Sequence, residues 1–161
     1  METRRDTTAP LSPLLSAEPM RALRANWQPA LRDSYEDAEH ALQATIELAL
    51  RAHEGDSGAL VSLGTALALV MARLEAHHEI LEHEGPRSWG KPDAVVKRHV
   101  AYFRKRQLGH IDNLMAMLNK APSPSALAQA VTVSGIVMLQ DWYAHGRLLV
   151  TLAEPPLSTF S

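Results

Sequence analysis

Residues Leu74 to Gly85 read LEAHHEILEHEG, with three histidines and four glutamates in twelve positions. Neutral imidazole and carboxylate together suit Fe, Mn or Zn, and a His-x-x-x-Glu pair such as His78 and Glu82 puts two donors one helical turn apart on one side. Two further places could complete such a centre: His99, and the pair Asp141 and His145, again four residues apart. The chain has no cysteine. That excludes disulfides, thiolate metal sites, iron–sulfur clusters and covalent c-type haem, and leaves His, Asp, Glu and Tyr as donors. Nucleophilic hydrolysis has no footing either, since there is neither a cysteine nor a Gly-x-Ser-x-Gly elbow.

Whether these residues meet depends on the elements that carry them. Helix signals divide the chain into four long helices, near 17–54, 57–84, 92–120 and 124–153, framed by a disordered arm over 1–16 and a tail over 154–161. Gly55 and Gly85 can adopt the left-handed conformation that ends a helix, Ser123-Pro124 supplies a capping oxygen and a first-turn proline, and Pro86, Pro92 and Pro122 reinforce the breaks. No stretch alternates with the period of a strand. Short connections between long helices predict an all-α, antiparallel up-down-up-down four-helix bundle in a single domain.

Apolar stripes predict the core: Trp27, Leu31, Ala38, Leu42, Ile46 and Ala49 on the first helix, and Leu60, Leu63, Leu67, Met71, Leu74, His78 and Leu81 on the second. The third offers Val96, Val100, Phe103, Ile111, Leu114 and Leu118; the fourth offers Leu127, Val131, Met138, Trp142, Leu149 and Leu152. Helix 4 is also apolar outside, at Val133, Ile136 and Val150, which points to a homodimer through that helix. The formal charge of -2 gives no pull toward nucleic acid, and the basic run Lys97 to Arg106 reads as a solvated face. The apolar run Ala126 to Leu139 is too short and too interrupted to span a membrane, and no signal peptide precedes the bundle, so a cytoplasmic protein is expected.

Counting outward from the turns fixes heights. His78 and His99 stand almost equidistant from the turn near Ser88, and His99 and His145 are equidistant from the turn near Pro122. His78, His99 and His145 therefore fall in one layer, with Glu82 and Asp141 one turn away on the same faces and Tyr35, with Ser34, the first helix's contribution. His40 faces out, and His77 and His83 flank the inward face of the second helix at best as supporting residues.

This order of residues resembles the hemerythrin-like, or HHE cation-binding, family, an up-down four-helix bundle with a non-haem di-iron site that binds oxygen or senses iron, oxygen or redox state. His78 and Glu82 match that family's second-helix His-x-x-x-Glu, His99 the first histidine of its third helix, and His145 its fourth-helix histidine. Phe103 stands where the third helix gives a second histidine, and Val150 where the last carboxylate belongs. The resemblance implies an altered metal site built from His78, Glu82, His99, Asp141 and His145, holding non-haem Fe or Zn. The competing expectation is a metal-free helical interaction protein, an adaptor, regulator or phasin-like surface protein, that meets a protein partner through helix 4 and its charged faces.

Overall fold

The computed structural model describes residue 27 and residues 29–88, 93–120 and 123–153, and every regular element among them is a helix. These are α1 (Pro29–His53), α2 (Ser57–Ser88), α3 (Asp93–Lys120) and α4 (Pro124–Ala153). The expected arm, the expected tail and positions 17–26 of the first expected helix lie outside the described residues. Pro29 opens α1 where its missing N–H costs nothing.

The breaks follow from local chemistry. Gly55 takes φ +106°, and the turn closes through Gly55 N–H to the Ala52 carbonyl (3.1 Å) and Asp56 N–H to the Arg51 carbonyl (3.0 Å). Asp56 then starts α2 by accepting the Ala59 N–H on its carboxylate at 3.0 Å, and Ser123 does the same for the Ala126 N–H of α4 at 3.1 Å. Each such cap stabilises by about 1 kcal/mol. Gly85 does not behave as expected: α2 runs through it and through Pro86 to Ser88. A proline holds φ at a helical value and forfeits one backbone hydrogen bond, so near a helix end the next residues can remain helical.

Four sides and a diagonal describe the packing. α1 lies against α2 and α4, α3 lies against α2 and α4, and α2 meets α4 across the middle. The cross-contacts show antiparallel neighbours. Tyr35, early on α1, meets Trp142 late on α4, whereas Ile46, later on α1, meets Gly135, earlier on α4. A Cβ on Gly135 would stand 2.8 Å from Ile46 Cγ1, so the glycine is what lets α1 and α4 approach there.

The expected core forms with few changes. Trp27, Leu31, Ala38, Leu42, Ile46, Ala49, Leu63, Leu67, Leu74, Leu81, Val100, Phe103, Ile111, Leu114, Leu127, Val131, Met138, Trp142 and Leu149 are buried, while Leu60, Met71 and Leu118 pack at its edge. Val96 and Leu152 have side chains outside the described set. Val150, expected outside, is buried, because it is only one 100° step from Leu149 and the buried face of α4 is wide enough to take both. Val133 remains 58% exposed. The stretch Ser57–His83 of α2, rather than the apolar run of α4, is long and apolar enough to cross a membrane by length and composition.

Candidate functional site

The chemistry-bearing residues gather between the Tyr35 end of α1, the second half of α2, the first half of α3 and the second half of α4. Their foundation is aromatic. Tyr35 stacks on Trp142 with ring centroids 4.9 Å apart, and Trp27 meets the edge of Tyr35 at 5.5 Å. Tyr35 also lies over Gly146, where a Cβ would stand 2.7 Å from its Cζ. A glycine beside His145 thus gives the tyrosine its place.

Upon that foundation lies a continuous row of hydrogen bonds. Ser34 Oγ is 3.0 Å from His77 Nδ1, His77 Nε2 is 3.0 Å from His145 Nε2, and His145 Nδ1 is 2.9 Å from His99 Nε2. Four helices contribute in turn: α1, α2, α4 and α3. These side chains bridge α2 and α4 across the diagonal, and the edge of His77 also meets Trp142 at 4.8 Å.

One serine sets the proton order of the row. Ser34 donates its only hydroxyl proton to the Leu31 carbonyl at 2.9 Å, and a carbonyl can only accept. His77 must therefore donate from Nδ1 to Ser34 and accept on Nε2. It follows that His145 donates from Nε2 and accepts on Nδ1, and that His99 donates from Nε2. All N–H groups point toward α1.

His78 stands beside this row and outside it. Its ring is fully buried, and neither Nδ1 nor Nε2 has a hydrogen-bond partner among the described residues. It lies 5.7 Å from His77, 6.3 Å from His145 and 5.9 Å from Phe103, centroid to centroid. Phe103 in turn stacks face to face on His145 at 4.1 Å with 8° between the planes. The family resemblance asks for a histidine at Phe103; the ring found there covers one face of His145 instead of offering a donor.

Burial keeps all four imidazoles neutral. It holds His77 and His145 well below the ordinary value of 6.5, with neighbouring imidazoles adding to the effect. His78 is lowered to about 4, chiefly by burial and then by the Arg104 guanidinium and His99. His99, half-buried, is lowered by burial alone. Neutral imidazole is the form with a lone pair to give a metal.

The structure thus divides the residues expected to act together. His78, His99 and His145 do share one layer. Glu82 and Asp141 point outward into ion pairs: Glu82 with Arg104 at 3.4 Å, and Asp141 with Arg106 at 2.7 Å. Arg104 also binds Glu75 at 2.6 Å, so the basic α3 face clamps the acidic neighbours on either side. At the surface Arg104 and Arg106 offset the two carboxylates, which in the core would lose their solvation. His77 is the residue the sequence reading placed wrongly. It is fully buried and central, while His83 is exposed and bonds back to the Glu79 carbonyl at 2.8 Å. The adjacency His77-His78 was the available signal: neighbours 100° apart can both face inward only on a helix packed on more than one side, as α2 is.

Among the described residues, no group of three or more His, Asp or Glu side chains is already arranged to hold one metal ion. What exists is a facing pair, His77 Nε2 and His145 Nε2, with an unpartnered third imidazole beside it. No protein-family model matches the chain, and neither a curated protein nor a solved structure matches it.

Proposed function

We propose that this bundle binds a metal ion through the imidazoles of its central layer. The observation that carries the reading is the facing pair of Nε2 atoms on His77 and His145, 3.0 Å apart in the buried core beside His78, whose two ring nitrogens have no hydrogen-bond partner among the described residues. A buried imidazole with no hydrogen bond costs about 1–3 kcal/mol, and an ion is one of the few partners that would relieve it. The donors that fit are His77 and His145, with His78 and His99 in reach of the same layer. Glu82 and Asp141 fit only if they leave their arginines. A bound metal would supply a Lewis-acidic or redox centre; the chain's own part is to hold it among rings that exclude water. Oxygen or iron binding or sensing, with Fe or Zn as the ion, is the activity the hemerythrin-like resemblance implies.

Metal content decides the matter. Protein purified without chelator should carry about one equivalent of a transition metal, and removal should lower its melting temperature, since binding only the folded state stabilises it by about 2.7 kcal/mol at one hundred times Kd. Substoichiometric metal together with no thermal response to added Fe, Zn, Mn or Cu would defeat the reading.

A second reading rests on the outer side of α4, where Val133 is 58% and Leu148 38% exposed. It makes the chain a homodimer or a partner-binding protein through that helix. Sedimentation that shows a monomer at all concentrations would remove the homodimer.

A further inference from the structure

Resting on that metal-binding reading, we infer that the ion this site takes is monovalent copper, Cu(I), seated between His77 Nε2 and His145 Nε2. Three features of the layer select it. The first is donor number: the structure brings two nitrogens face to face and nowhere among the described residues gathers three metal-binding side chains. Zinc sites use three or four protein ligands, and iron sites of carboxylate type use more. Cu(I), with a filled d shell, is satisfied by two opposed nitrogens and accepts a third.

Charge is the second. The donors at this pair are neutral imidazoles, because burial holds their pKa values down, and the two candidate carboxylates Glu82 and Asp141 are engaged by Arg104 and Arg106. The cost of taking an ion out of water rises with the square of its charge, so an all-neutral donor set among Phe103, Trp142 and Tyr35 tolerates a single charge far better than a double one.

Geometry is the third. The two Nε2 atoms are 3.0 Å apart, and metal–nitrogen bonds of roughly 2 Å on opposite sides need about 4 Å. The rings must part by about 1 Å, a side-chain adjustment rather than a rearrangement of helices. Loading moves the proton of His145 from Nε2 to Nδ1 and that of His99 from Nε2 to its own Nδ1, so the His145–His99 bond is kept in the reverse sense, all the imidazoles stay neutral and no proton is released. His78, fully buried and without a hydrogen-bond partner among the described residues, lies beside the pair, its ring centroid 5.7 Å from that of His77 and 6.3 Å from that of His145.

The test is a competition on the full-length protein, anaerobic with ascorbate, in which Cu(I) is delivered from a chromophoric Cu(I) chelator and Zn(II) and Fe(II) are titrated separately. The expected result is one equivalent of Cu(I), bound more tightly than Zn(II) or Fe(II) by at least about tenfold. X-ray absorption of the loaded protein should show two or three nitrogen neighbours. Glu82→Gln and Asp141→Asn should leave copper binding unchanged, and His145→Gln should abolish it while circular dichroism reports the same helix content. Tighter Zn(II) or Fe(II), a shell of four or more ligands, or loss of binding in Glu82→Gln or Asp141→Asn overturns the copper assignment and leaves metal binding itself standing. If no metal binds, both fall.

Discussion

Tyr35 and Trp142 hydrogen-bond each other's backbone: the Tyr35 hydroxyl donates to the Trp142 carbonyl at 3.0 Å, and the Trp142 indole N–H donates to the Tyr35 carbonyl at 3.2 Å. Their rings are stacked between the two bonds, with 22° between planes. This reciprocal pair fixes the register of α1 against α4 at the height of the imidazole layer. It satisfies both polar handles that two large aromatic side chains bring into a core. The row from Ser34 to His99 lies at that same height.

Gly146→Ala should displace the tyrosine, since the new Cβ would overlap the Tyr35 hydroxyl and stand 2.7 Å from Cζ. Overpacking of this kind costs about 1–3 kcal/mol, so the melting temperature should fall by roughly 3–10 °C. Tyr35→Phe on its own also destabilises, by about 1 kcal/mol, through the lost bond to Trp142. Combined, the two changes should cost less than their sum, because removing the hydroxyl removes the worst overlap. An additive double-mutant cycle would show that the two residues do not touch.

Ser34→Ala removes the acceptor of a buried N–H on His77. The expected loss is about 1–3 kcal/mol in chemical denaturation, large for a change of one oxygen atom. A loss below about 0.5 kcal/mol, the usual range for a surface substitution, would mean that the serine does not anchor the row.

His78→Leu should do the opposite in the metal-free protein. Both nitrogens of His78 are buried without partners among the described residues, and an apolar side chain of similar volume removes that penalty. A gain of about 1–2 kcal/mol is expected, read as a higher melting temperature after dialysis against chelator. A decrease would show that the imidazole is bonded.

Acid should weaken the metal-free protein in a defined window. An unfolded histidine titrates near 6.5, whereas burial lowers all four layer histidines, His78 to about 4. Below pH 6.5 the unfolded chain therefore binds more protons than the folded one, and stability falls as pH falls. The displacement of His78 converts to about 3 kcal/mol over the fall from pH 6.5 to about 4. Melting temperatures should be level above about pH 7 and drop steadily beneath it. A flat profile from pH 7 to 4.5 would show that the layer is already solvated.

The helices and their breaks were legible because they rest on local chemistry: Gly55 turns left-handed, Asp56 and Ser123 cap, and the apolar stripes of α1 and α4 are buried with few exceptions. Height was legible too, since His78, His99 and His145 reach one layer by counting alone. Azimuth was not. A stripe drawn for one buried direction on α2 put His77 at its margin, yet α2 faces α1, α3 and, across the diagonal, α4, and His77 occupies the side toward α1 and α4. The directions of Glu82 and Asp141 depend on Arg104 and Arg106, and α3 bears a face rich in cations that no pattern on α2 or α4 encodes. Gly85 and Pro86 read as a stop, but the helix needed a few more residues to end.

Ser34 has one further consequence. Three imidazoles in a row can order their protons in two senses with the same number of bonds, and a single hydroxyl committed to the Leu31 carbonyl removes that degeneracy. The layer is a vector with one allowed direction, anchored at α1 and ending at half-buried His99 on α3. An ion entering between His77 and His145 would reverse the His145–His99 half of it. Occupancy of the interior would then be legible from outside, as a switch of which His99 nitrogen carries the proton.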